Sequence, residues 1–174
     1  KTIIKEVKNN KNFTTFIVVT GMHMLPQFGS TYQEVEKSFK LNIIKFKNQK
    51  FGESMENILT KTINRFSKIV KKINPDLIVF HGDRVETLAC SIVGSMNHIL
   101  TAHLEGGEIS GSIDDSIRHA VTKLSHTHFV GNLKAQQRIL RMGEIKKNTF
   151  VVGSADNDII LTKKLPNFNY VKKH

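Results

Sequence analysis

The 174 residues carry 39% hydrophobic and 24% charged side chains, proportions of a globular chain long enough for one domain with a real core. No apolar run approaches the roughly 20 residues of a membrane helix, the first residues lack the apolar core of a signal peptide, and the single cysteine, Cys90, allows no disulfide within the chain, so a cytoplasmic protein is expected with Cys90 as a small core residue. The formal charge of +11 raises a nucleic-acid surface, but the lysines are scattered (Lys45, Lys61, Lys71, Lys146, Lys163) and no RNP-like aromatic motif, zinc knuckle or arginine-rich arm accompanies them, so neither nucleic acid nor membrane is expected as a partner.

In chain order, Ile3, Ile4 and Val7 give residues 1–9 a helical spacing. A domain that starts inside a helix suggests that an earlier strand and loop precede Lys1. The β-branched run at 16–20 predicts a strand ending in Gly21-Met22-His23, and 24–31, with Pro26 and Gly29, reads as a loop. A short helix over 32–38 and a strand over 41–46 follow. Met55, Ile58, Leu59, Ile63, Phe66, Ile69, Val70 and Ile73 mark a long amphipathic helix over 53–73, which Pro75 ends. The short, fully apolar run at 76–80 predicts a strand buried on both faces of a parallel sheet.

Helical period returns over 85–96 through Leu88, Ala89, Ile92, Val93 and Met96. A strand is expected at 99–104, a helix from Ile113 to about residue 125, a strand at 127–131, and a helix over 132–142 with Asn132 as a cap and Gly143 as its stop. The last strand is placed at 149–153 and a helix over 154–162. Residues 163–174 read as a linker, because Pro166 and the asparagines break any period. The alternation predicts an α/β fold, a parallel sheet wound on both faces by right-handed crossovers. Neither G-x-G-x-x-G nor G-x-x-x-x-G-K-[ST] is present, so no standard phosphate fingerprint supports a dinucleotide or nucleoside triphosphate.

The chemistry-bearing residues fall at strand ends, where open α/β sheets bind ligands. Asp83, after Gly82, suits a helix N-cap, and Arg84 beside it offers a fork of donors for phosphate. His103 and Glu105, two apart on a strand, share a side, and Gly106-Gly107 lets the chain turn sharply there. Ser112 and Asp115 fit a capping box, which leaves Asp114 with Arg118, one turn on, as the pair to face a cleft; the surface ion-pair reading stays open for them. His23 precedes a loop and suits substrate contact. His81 could orient Asp83 or pack, while His98, His126, His128 and His174 read as surface or core residues. No spacing resembles a zinc site.

These motifs, His81-Gly82-Asp83-Arg84 and the run from His103 through Glu105-Gly106-Gly107-Glu108 to Asp114-Asp115-Ser116-Ile117-Arg118-His119, resemble the hydrolysing UDP-N-acetylglucosamine 2-epimerases. That family includes bacterial enzymes of sialic acid synthesis and the epimerase half of the mammalian bifunctional epimerase/kinase. The likeness extends to Thr20-Gly21-Met22-His23, Gly29-Ser30-Thr31-Tyr32 and Val152-Gly153-Ser154, while Ala155 stands where many relatives have proline. The resemblance implies the Rossmann-like N-terminal half of a GT-B fold over residues 1–162, with 163–174 leading toward a C-terminal domain outside this chain. It also implies that the fragment alone is inactive, that a homodimer or homotetramer forms, and that no cofactor or metal is needed.

The activity implied is elimination of UDP from UDP-N-acetylglucosamine to a 2-acetamidoglucal, then hydration to N-acetylmannosamine. Asp83, Glu105 and Asp114 match the family's catalytic carboxylates. Arg84 would support the diphosphate, with His23, Gly107, Arg118 and His119 near the sugar. Two other readings are weighed. One keeps the reaction but takes a nucleotide-linked 2,4-diacetamido-trideoxyhexose, as in legionaminic acid synthesis. The other is a non-catalytic nucleotide-sugar or nucleic-acid binding domain.

Overall fold

A computed structural model describes residues 2–39, 42–154 and 157. Leu41 and almost all of the expected helix at 154–162 and linker at 163–174 lie outside the described residues. The chain runs through helix α1 (Thr2–Asn9), strand β1 (Phe16–Val19), α2 (Tyr32–Ser38), β2 (Asn42–Lys45), α3 (Met55–Ile73), β3 (Leu77–His81), α4 (Val85–Met96), β4 (Leu100–Leu104), α5 (Ile113–Lys123), β5 (Thr127–Val130), α6 (Leu133–Arg141) and β6 (Thr149–Val151). Two short 3-10 turns, Gly21–Met24 and Pro26–Phe28, fill the expected loop after β1.

All pairings are parallel. The strands divide into a two-stranded sheet, β1-β2, and a four-stranded sheet in the order β3-β4-β5-β6. Because β3 to β6 step one way across their sheet, like-handed crossovers carry α4, α5 and α6 to one face. The core shows that face. Phe66 and Val70 of α3, Val93 of α4, and Ile117 and Val121 of α5 close on Ile78 and Phe80 of β3, while Ala135 and Ile139 of α6 close on Val130 of β5.

The opposite face is largely open. Leu77 and Val79 are 47% and 50% exposed, and Leu100 of β4 is 58% exposed. This corrects the expectation that the strand at 76–80 is buried on both sides. An apolar run says that both faces tolerate burial; whether a second layer arrives depends on segments far along the chain.

Local chemistry sets the helix ends. Ser54 precedes α3 in extended backbone, and Asn74 closes it with a left-handed φ of 50° just before Pro75, the residue type that tolerates this backbone best after glycine. The buried residues of α3, Ile58, Thr62, Phe66 and Val70, recur every four positions and so form one stripe. The Ser112 hydroxyl accepts from the Asp114 N–H to start α5, and the Asn132 side chain accepts from the Ala135 N–H to start α6. Burial pushes the Cys90 thiol up to about 12, so it stays a protonated core side chain. Among the described residues no helix is long and apolar enough to cross a membrane.

Candidate active site

The parallel strands β3 and β4 end side by side, with His81 opposite Leu104, so the residues that follow each strand meet. The Gly82 N–H donates to the Leu104 carbonyl, and the Glu105 N–H to the Phe129 carbonyl at 2.8 Å. Glu105 thereby sits one step beyond β4 with a φ of +62°. That left-handed backbone costs a non-glycine residue about 1–2 kcal/mol, and at a strand end it marks a place where side-chain direction outweighs comfort. The result is a pocket of about 290 Å³ lined by His81, Gly82, Asp83, Arg84, Glu105, Glu108 and Arg118.

Both oxygens of Glu105 are engaged. His81 Nε2 donates to Oε2 at 2.6 Å, and the Ser154 hydroxyl donates to Oε1 at 2.7 Å. Partial burial pushes the carboxyl up, but the His81 and Ser154 hydrogen bonds and the nearby imidazole together outweigh it and hold Glu105 below the usual range. Arg118 reaches the pocket from α5 with its side chain 8% exposed. One nitrogen pairs with Asp83. The other donates to Asp115 at 2.7 Å and to the Glu108 carbonyl at 2.8 Å. A buried guanidinium needs such partners, since an unpaired charge there would be costly.

Asp83 does not cap α4 as its residue type suggests: Arg84 occupies the N-cap, without a side-chain cap bond. The carboxylate is turned to Arg118 instead. Asp114 is not the partner of Arg118 either. Its carboxylate accepts from the Ser112 hydroxyl at 2.9 Å, and it lies outside the pocket lining. Asp115 is the structural member, though not through the expected capping box with Ser112, whose hydroxyl takes the Asp114 N–H instead. Asp115 accepts from the backbone N–H groups of Ser110 and Gly111, and these, with the Ser110 hydroxyl and Arg118, hold its carboxyl down at about 2.

Arg84 lines the pocket, with its Nε 3.7 Å from Glu86. His23 is bonded to Thr31 at 2.6 Å, outside the pocket. Gly107 is buried behind the site, where an added Cβ would meet the Ala135 carbonyl at 2.5 Å and where φ is +80°; its own carbonyl accepts from Arg138. His119 lies outside the lining too, with Nε2 buried and unpartnered among the described residues.

Sequence reasoning did not assign His81 to Glu105, nor Glu108 and Ser154 to the site. The signal for His81 was the register. Once β3 and β4 are paired in parallel, residues 81 and 105 leave adjacent strand ends.

Behind this surface His103 is fully buried. Its Nε2 donates to the Gly82 carbonyl at 2.9 Å, and its Nδ1 accepts from the Thr122 hydroxyl at 3.2 Å. The imidazole thus pins the turn that carries Asp83. Among the described residues no group of three or more His, Cys, Asp or Glu could hold a metal ion.

A parallel α/β domain with acid and arginine side chains gathered where two strands end defines a Rossmann-like ligand-binding half. A profile of the UDP-N-acetylglucosamine 2-epimerase family matches residues 5–173, and the chain belongs to that family. It is 40% identical over its whole length to a UDP-N-acetylglucosamine 2-epimerase of Neisseria meningitidis serogroup B, of which it covers 46%. It is 36% identical over 99% of its length to a hydrolysing GDP/UDP-N,N'-diacetylbacillosamine 2-epimerase of Campylobacter jejuni, covering 44% of that protein. The fold is the Rossmann-like N-terminal half of the GT-B type. It matches a crystal structure of a Neisseria meningitidis UDP-GlcNAc 2-epimerase bound to UDP-GlcNAc with a TM-score of 0.78 at 21% identity, over 99% of this chain and 47% of that one. The chain therefore spans a little under half the length of these relatives.

Proposed function

We propose that the protein carrying this chain is a hydrolysing nucleotide-sugar 2-epimerase that converts UDP-N-acetylglucosamine and water to UDP and N-acetylmannosamine. The observation that carries this reading is the meeting of Asp83, Glu105, Arg84 and Arg118 in one pocket at the ends of β3 and β4. Elimination needs a base for the C2 proton while the C1–O bond breaks and its electron pair leaves with UDP. Hydration then needs water at C1 and a proton returned to C2 from the other face. Carboxylates in a closing cleft suit both proton transfers, and guanidinium groups suit the departing diphosphate.

His81 holds Glu105 by a hydrogen bond of 2.6 Å and so fixes the direction of its carboxylate. The ion pair with Arg118 keeps the Asp83 carboxylate aimed. Asp114, at the start of α5 with its carboxylate on the Ser112 hydroxyl, is the third carboxylate in this scheme on the family resemblance alone. The fragment alone, lacking the second half of such a cleft, is expected to be inactive; the whole protein is expected to work in the cytoplasm as a dimer or tetramer.

The test is product analysis with the full-length protein. Free UDP and N-acetylmannosamine are expected. Detecting only the C2 epimer still attached to UDP would reject the hydrolysing assignment. A second reading keeps the chemistry and changes the sugar to UDP-N,N'-diacetylbacillosamine, the substrate class in the names of two relatives, from Campylobacter jejuni at 36% identity and Legionella pneumophila at 33%. Faster release of UDP from that sugar would favour it.

A further inference from the structure

A second pocket, of about 440 Å³, lies beside the loop that follows β2 and shares no residue with the candidate active site. Its charged lining is entirely basic: Lys47, Lys50, Lys61 and Arg65. Lys61 is paired with Glu53, and Glu53 also accepts from the Lys50 backbone N–H at 2.9 Å. Among the described residues Lys47, Lys50 and Arg65 have no carboxylate within ion-pair reach. Like charges turned into one concavity repel one another, and an anion between them removes that repulsion.

Gln49 supplies an independent observation. It lines the same pocket and is only 7% exposed, yet its carboxamide makes no hydrogen bond among the described residues. Its amide atoms are not among the fully buried unpartnered ones, so the little exposure the residue keeps leaves the amide open for a ligand in the pocket it lines. Its neighbour Asn48 shows the contrast, with every polar atom used: it accepts from the Gly21 N–H at 3.0 Å and donates to Thr62 at 2.8 Å and to Glu86 at 3.1 Å. Asn48 therefore fixes the loop, and Gln49 is presented to the pocket on a rigid support.

We propose that this pocket binds a diphosphate-class anion. Lys47, Lys50 and Arg65 neutralise a charge of about −3, and Gln49 donates to a phosphoryl oxygen. The volume falls in the range of small-molecule sites, roughly 300–1,000 Å³. The cations surround a concavity rather than forming a stripe, which favours a compact anion over a nucleic-acid backbone. The inference does not rest on the proposed reaction.

The experiment is calorimetric titration of the full-length protein with inorganic pyrophosphate. Saturable binding is expected to persist in Arg84→Gln, which weakens the other pocket, and in that background to weaken at least about tenfold, roughly 1.4 kcal/mol, on adding Lys47→Gln/Arg65→Gln or Gln49→Leu. Lys47 and Arg65 are exposed, so the double variant keeps the parent melting temperature and the comparison does not depend on Gln49. Binding that ignores the double variant, binding lost in Arg84→Gln, no heat up to about 10 mM pyrophosphate, or tighter, salt-sensitive binding of random RNA would each overturn the proposal.

Discussion

His103 offers the most direct test of how the site is held. Burial, ahead of the opposing hydrogen bond to the Gly82 carbonyl, pushes its imidazole down to about 4, with His128, His81 and Arg118 adding positive charge nearby. In the unfolded chain the same group titrates at about 6.5. Between those values the unfolded state binds the extra proton and the folded state does not, so stability rises with pH in that window. Linkage puts the loss at about 2 kcal/mol on going from pH 7 to pH 5 and about 3 kcal/mol by pH 4. His103→Gln removes the titration while its amide keeps a donor for the Gly82 carbonyl. Urea unfolding at pH 7 and pH 5 should show the parent losing about 2 kcal/mol more than the variant. The Cε1–H resonance of labelled His103 should stay that of neutral imidazole to pH 5. An imidazole that titrates near 6.5, or equal pH dependence in parent and variant, would refute the reasoning.

In the full-length protein, Asp83→Asn, Glu105→Gln and Asp114→Asn should each cut turnover at least about 100-fold, the size of an acid/base role; near-normal UDP release in all three would remove the mechanism. His81→Phe should lower kcat and move the acid limb of its pH profile, since it strips the partner that holds Glu105 below the usual range; a KM effect with an unchanged profile would reduce His81 to a wall. Gly107→Ala places a Cβ 2.5 Å from the Ala135 carbonyl at a φ of +80°, so thermal unfolding should show a loss of at least about 1–3 kcal/mol. A neutral result would mean that this turn relaxes freely.

The helices were legible where the pattern is local. Residues 85–96 carry an apolar period whose ends coincide with α4, and Ser112 and Asn132 announce α5 and α6 through hydroxyl and amide caps. The candidate site was legible only in part. Asp83 carries a strong local preference for capping, and its actual partner, Arg118, is thirty-five residues away. Helical spacing places Asp114 and Asp115 about equally near Arg118. The choice of Asp115 depends on a loop whose N–H groups at 110 and 111 converge on that carboxylate. The open face of β3 was illegible for the same reason, because no residue within 77–81 reports what packs above it.

The backbone of Glu105 has an evolutionary corollary. Glycine at that position would relax the φ of +62°, yet it would erase the carboxylate that His81 and Ser154 grip. Backbone comfort and chemistry therefore pull this codon in opposite directions, and the glutamate stands where the chemistry has won.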